Sequence, residues 1–182
     1  IPDQTATEDD PFSFTLAAET FSDPDIGDTL VYTATLVNGS ELPDWLTFDP
    51  ATLTFSGTPT NTDVGSLEIQ VTVTDEANNT ASDIYQLSVT NINDVPILET
   101  PIPDQTATED NPFSYTLAMD TFSDPDIGDA LTYTATLANS AVLPGWLTFD
   151  SATQTFSGTP TSEDVGNLNI IVKATDPSIS SV

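Results

Sequence analysis

Of 182 residues, 29 are Asp or Glu, one is basic (Lys173), and neither His nor Cys occurs. Any chemistry this chain performs must therefore come from carboxylates, acting as acids or as ligands for a hard cation. Nucleophilic sets of the Ser-His-Asp or Cys-His kind are excluded. Zinc and copper lose their preferred ligands, whereas oxygen-seeking calcium stays open. The densest acidic stretch is Asp23-Pro24-Asp25-Ile26-Gly27-Asp28, whose three carboxylates repel one another without a cation, and the same six residues recur from Asp124 to Asp129. Asp outnumbers Glu by 21 to 8, and Asp is the short acid that suits turns and loops. An EF-hand is excluded, because Asp28 stands at the loop's sixth position where Gly is required and Ala34 at the twelfth where a Glu is required. Taken alone, the loop is equally compatible with a solvated turn.

The net charge of -28 also bears on partners. Displacing phosphate counterions takes cations, and Lys173 alone cannot supply them, so nucleic acids and anionic membrane surfaces are not expected partners. No apolar run approaches the roughly 20 residues of a membrane-spanning helix, and no basic, apolar leader opens the stretch. Direct membrane insertion is not expected. A surface this acidic is best screened by salt or bound cations, which favours extracellular or cell-surface surroundings.

The elements that position these acids come in two copies. Ile1 to Asp9 recurs letter for letter as Ile102 to Asp110, Phe21 to Asp28 as Phe122 to Asp129, and Ser56 to Thr60 as Ser157 to Thr161. About two in three aligned positions are identical, which predicts tandem domains over 1–95 and 96–182. Within a copy the apolar period is two: Phe12, Phe14 and Leu16; Leu30, Tyr32, Ala34 and Leu36; Leu67, Ile69, Val71 and Val73; Tyr85, Leu87 and Val89. Shorter strands are expected at Thr5 to Thr7, Trp45 to Phe48 and Leu53 to Ser56, between turns rich in Pro, Gly, Asp and Asn. Seven short strands in about 100 residues predict an all-β, Greek-key β-sandwich. The second copy runs only to the equivalent of Ala81, so Ser82 to Thr90 have no counterpart and its last strand is lacking. Truncation and a strand supplied in trans both fit that pattern. An unpaired sheet edge there would permit association by strand addition.

These residues resemble the cadherin repeat. The resemblance rests on Glu8 ahead of Pro11, Asp23-Pro24-Asp25, Asp75 closing the sixth strand, and Asn91-Ile92-Asn93-Asp94-Val95-Pro96 between the copies. Leu42-Pro43-Asp44-Trp45-Leu46-Thr47-Phe48-Asp49, followed by Phe55 to Pro59 and Asp63-Val64-Gly65, is closer to the dystroglycan-type cadherin-like domain and the related putative Ig domain of bacterial surface proteins. The resemblance implies calcium held at the junction of consecutive domains. Its ligands would be Glu8, Asn91, Asn93 and Asp94, with Asp124, Asp126 and Asp176 of the second copy. Asp23, Asp25 and Asp75 would face a preceding domain. Two departures lower the ligand charge or number: Asn91 stands where Asp is usual and Val95 where a second Asn is common, and the family's Asp-Arg-Glu element has no match. Asp63 is the residue placed to take over part of that last role.

The resemblance implies a calcium-rigidified spacer and adhesion segment of a larger cell-surface adhesin, with neighbouring repeats of the same chain, and a homophilic protein or polysaccharide, as partners. The alternative is a carbohydrate-binding module of a secreted bacterial protein, with Trp45 and Trp146 stacking on sugar rings. Packing of both indoles on the core is the competing reading. A glycosidase needs two carboxylates about 5 to 10 Å apart across a cleft, and short sandwich loops offer little cleft, so no enzymatic activity is expected.

Overall fold

The structure, a computed structural model, describes residues 1–25, 27 and 29–176; Ile26 and Asp28 of the first acidic loop, and residues 177–182, lie outside the described residues. The chain divides into two compact units, Ile1–Ile92 and Asn93–Val182. The division falls a few residues ahead of the boundary expected from the repeat. Asn93 and Asp94, at the start of the second unit, are hydrogen-bonded to Asp176 and Asp126.

Among the described residues the first unit has strands β1 (Gln4–Thr7), β2 (Phe12–Thr15), β3 (Val31–Leu36), β4 (Leu46–Asp49), β5 (Thr54–Gly57), β6 (Gly65–Thr74) and β7 (Thr80–Thr90). They form two sheets ordered β1-β7-β6-β3 and β2-β5-β4. All ladders are antiparallel except β1 with β7, which is parallel, with Gln4 opposite Leu87 and Ala6 opposite Val89. The alternation read from the sequence sets the inner faces. Ile69, Val71 and Val73 of β6 and Tyr85, Leu87 and Val89 of β7 are buried, while their neighbours along each strand are more exposed. Phe55 of β5 fills the space between the sheets, with ring centroids 4.5 Å from Phe48, 5.7 Å from Tyr85 and 6.4 Å from Phe14. One glycine is fixed by close approach. A Cβ on Gly57 would lie 1.7 Å from the Trp45 carbonyl oxygen, so the Trp45 loop and β5 admit no other residue there.

The second unit repeats this plan with β8 (Ile97–Leu98), β9 (Phe113–Thr116), β10 (Phe122–Ser123), β11 (Thr132–Leu137), β12 (Leu147–Asp150), β13 (Thr155–Gly158) and β14 (Ile170–Thr175). Its sheets are β12-β13-β9, β11-β14 and a short β10-β8 ladder. Among the described residues no strand corresponds to β7. The consequence reaches the residues that β7 would cover. Gln105 to Thr108, identical in sequence to β1, form no ladder, and the buried core shrinks to Leu117, Leu147 and Phe156. The chain is thus two tandem Greek-key β-sandwiches, and among the described residues the second shows no counterpart of β7.

Two substitutions test the packing of the first unit. Phe55 is fully buried, so Phe55→Ala is expected to cost about 3–5 kcal/mol in urea unfolding, and Phe156→Ala at the equivalent place in the thinner second core should cost less. The Tyr85 hydroxyl is buried without a hydrogen-bond partner, and burial pushes its pKa up. Tyr85→Phe is therefore expected to leave stability unchanged or raise it by about 1 kcal/mol in the same measurement.

Candidate functional site

In the acidic loops Asp126 of the second copy is buried whereas Asp25 of the first is exposed. In the second unit the chain turns sharply after β10, and the Asp126 backbone N–H donates to Asp124 Oδ1 at 3.0 Å. The left-handed Gly128, at φ 103°, then brings Asp129 back, and its N–H donates to the Asp126 carbonyl at 3.3 Å. One carboxylate oxygen from each of Asp124, Asp126 and Asp129 lies within 4.8 Å of the others. Asp126 is only 4 % exposed, and its Oδ1, like Oδ2 of Asp124, is buried without a hydrogen-bond partner. Leaving such acceptors unpaired out of water costs about 1–3 kcal/mol each, and more when they are charged. Three carboxylates in this arrangement form an oxygen-rich pocket suited to a hard divalent cation.

The linker residues of the second unit complete the frame. The Asp94 N–H donates to Asp126 Oδ2 at 2.7 Å, and Asn93 Nδ2 donates to Asp176 Oδ2 at 2.6 Å and to the Asp94 carbonyl at 2.9 Å. Asp176, directly after β14, is 3 % exposed. Of the residues nominated from the sequence, Asn93, Asp94, Asp124, Asp126 and Asp176 are thus gathered by hydrogen bonds within one unit. Asp129 is the addition. The family resemblance carried over only the Asp-x-Asp pair, but the three-acid spacing of the loop already contained the signal.

The first unit uses its nominated residues differently. Glu8 is fully buried and accepts the Ile92 N–H at 2.6 Å, tying the end of the unit back to the β1 edge. Asn91 is exposed. Asp23 accepts the Asp25 N–H at 2.8 Å, as in the second copy, but Asp25 is exposed where Asp126 is buried. Asp75 accepts from the Asn79 backbone N–H at 2.7 Å and from Asn79 Nδ2 at 2.8 Å, closing the β6-β7 turn. Asp63 caps the 3-10 turn Asn61–Asp63, accepting the Thr60 N–H and hydroxyl, both at 2.8 Å. Both Trp residues are half-buried. Trp45 meets Phe12 edge-on at 6.5 Å, and Trp146 packs on the second core.

Paired sandwiches with Greek-key strands and an acidic loop beside the interdomain segment define an immunoglobulin- or cadherin-like class of domain. The chain belongs to the family described as "Putative Ig domain", which matches residues 1–90 and 95–182. Over 137 residues, 75% of this chain, it is 35% identical to the serine-rich adhesin for platelets of Staphylococcus aureus (strain MRSA252), of which the match covers 9%. The chain therefore spans under a tenth of the curated relatives it matches. Among solved structures, human CDH23 EC21-23 superposes with a TM-score of 0.54 at 22% identity, covering 83% of this chain and 54% of that one. Mouse cadherin-23 EC22-24 gives 0.53 at 19%, covering 81% and 47%. An endo-fucoidan hydrolase of glycoside hydrolase family 107 aligns over 98% of this chain and 26% of its own at 26% identity, with a TM-score of 0.40. The cadherin superpositions show the sandwich fold.

The Asp75 turn yields a pH prediction. Its Asn79 side chain, aided by backbone N–H groups, holds the Asp75 carboxyl below its ordinary value of 3.8. A carboxyl with a lowered folded pKa stabilises the native state above that ordinary value, and the contribution disappears as pH falls through the lowered one. Asp75→Asn should therefore melt below the parent chain at pH 7, with the gap closing in melts run at progressively lower pH through the carboxylate range.

Proposed function

We propose that this pair is a calcium-binding, dystroglycan-type cadherin-like module of a larger cell-surface adhesin, serving as a spacer that bound calcium stiffens. The observation that carries the reading is the pair of buried, unpartnered oxygens on Asp124 and Asp126, within a cluster that Asp129 completes. Calcium takes six to eight oxygens at about 2.3–2.6 Å in flexible geometry. Asp124, Asp126 and Asp129 would supply the first carboxylates, with Asp176 and the Asn93-Asp94 segment beside them. An ion there would offset the mutual repulsion of the acids. The linker residues share hydrogen bonds with the same carboxylates, so occupancy would also restrict the chain that enters the second unit.

The relatives supply the biological setting for this reading. A serine-rich adhesin for platelets is among the relatives, and a spacer that carries a distal binding region away from a cell surface needs rigidity more than a catalytic cleft. We read the module as extracellular and non-enzymatic. Its partners on this reading are further repeats of its own chain and the adhesion target of the parent protein.

Thermal melting with calcium and with chelator tests the ion. A binder of the native state alone adds about 2.7 kcal/mol at a hundredfold excess over Kd, so the second unit's midpoint should rise with calcium. Asp126→Asn should abolish that rise, whereas Asp25→Asn, at an exposed position in the first copy, should keep it. Identical midpoints with and without calcium would sink the ion. A calcium-dependent midpoint with unchanged small-angle scattering would keep the ion and sink the spacer.

A further inference from the structure

Residues 32–36 and 133–137 have the same sequence, and each runs along the border of its sheet, in β3 and β11. β11 pairs only with β14, and the Ala138 N–H, which donates to the Asn169 carbonyl at 2.8 Å, fixes which groups that ladder uses. Counting back by twos, Thr132, Thr134 and Thr136 turn their N–H and C=O groups towards β14. Tyr133, Ala135 and Leu137 turn theirs the other way. Leu137 is met there by the Ala141 carbonyl at 2.9 Å and the Ser140 N–H at 2.8 Å. Among the described residues no strand or turn meets the backbone of Tyr133 or Ala135 on that side.

An open edge invites another strand, and natural sheets guard it with charge or Pro. β3 has such a guard: Glu41 borders an opening of about 350 Å³ beside residues 32–35, and Asp44 follows in the same loop. In the second copy these positions are Val142, which is 84% exposed, and Gly145. Residues 130–149 consequently hold no charged side chain, the longest such stretch in this chain, and they contain the whole of β11. The chain's one basic side chain, Lys173, is exposed on β14 opposite Thr134. In a chain of net charge -28, one sheet border has been cleared of acids and set beside the cation.

That pattern selects the occupant. A cationic partner is drawn to acidic loops and gains nothing from a surface stripped of them. A partner that is itself acidic gains most, because the stripping removes repulsion at contact distance. We propose that the β11 edge is a self-association surface, on which a second copy of this chain adds its own β11, antiparallel about a two-fold axis. With Thr134 on the axis, Tyr133 stands opposite Ala135 of the second copy. The groups left open on each strand then meet each other, and the core-side faces of the two sheets remain in register. The Lys173 side chains of the two copies lie three strand spacings apart, about 14 Å, which exceeds the roughly 8 Å screening length at physiological salt. β3 serves as the control within the molecule, since the same strand there has Glu41 beside it, which would meet its own copy. None of these residues belongs to the acidic cluster, so the proposal stands apart from the calcium reading.

Sedimentation of the full chain across a concentration range tests it, with chelator present so that no cation links acidic loops. The mass is expected to rise from 19.3 kDa towards twice that value. In hydrogen exchange the Tyr133 and Ala135 amides should gain protection as concentration rises, and those of Tyr32 and Ala34 should not. Val142→Glu, which gives the second copy the guard of the first at an exposed position, should weaken association at least about tenfold, whereas the neutral Val142→Thr should keep it. A chain that stays monomeric up to about 1 mM, the weak end of specific association, would overturn the proposal. So would a dimer that both variants leave unchanged or weaken equally, or one whose new protection falls away from β11.

Discussion

A β-strand exists only where another strand satisfies its backbone, and that constraint organises both halves of this chain. Residues 4–7 and 105–108 have the same sequence, the same flanks and the same intrinsic preference. The first set is a strand because β7 meets its N–H and C=O groups, and the second set is not, because nothing among the described residues does. Side-chain burial follows the same rule. Among the described residues the unit that contains β7 has a buried core of ten residues, and the other a buried core of three. Central strands of a sandwich thus carry more than their own share of the fold, since each holds two partners in place.

The acids obey a parallel logic with the sign reversed. A carboxylate in water needs no partner, and exposed acids such as Asp9, Asp10 and Glu19 are free to be of that kind. Those that serve structure have found N–H and O–H donors: Asp63 and Asp164 cap 3-10 turns, Asp49 and Asp150 close the turns after β4 and β12, and Asp75 binds Asn79. Asp124 and Asp126 depart from this pattern, because part of each carboxylate is out of water and unmatched by any donor. Among the described residues of the first acidic loop no carboxylate oxygen is in that state.

Much of this was legible in the sequence, for identifiable reasons. Period-two alternation located the strands to within a residue or two at most ends, since one buried face per strand leaves a regular imprint. Self-comparison exposed the duplication directly. Asn93, Asp94, Asp124, Asp126 and Asp176 were nominated by likeness to a known repeat and were found joined by hydrogen bonds. The rest depended on facts that no local pattern records. The fate of residues 105–108 is set by a strand distant in sequence. Asp126 is buried and accepts a hydrogen bond from Asp94 while Asp25 is exposed, although both loops read identically. The β8-β10 ladder pairs two-residue segments, too short to imprint a period.

The identity of Ile1 to Asp9 with Ile102 to Asp110 has a further consequence for how the chain reaches its fold. β7 lies between two indistinguishable suitors, one upstream and one downstream. On the ribosome the upstream segment is already present when β7 emerges, while the downstream one is still to be made, so the order of synthesis itself selects the right pairing. A chain refolding from denaturant has no such history. For it, both pairings close loops and compete from the start, and fidelity then depends on how quickly Tyr85, Leu87 and Val89 sink among residues that only the first copy assembles around them.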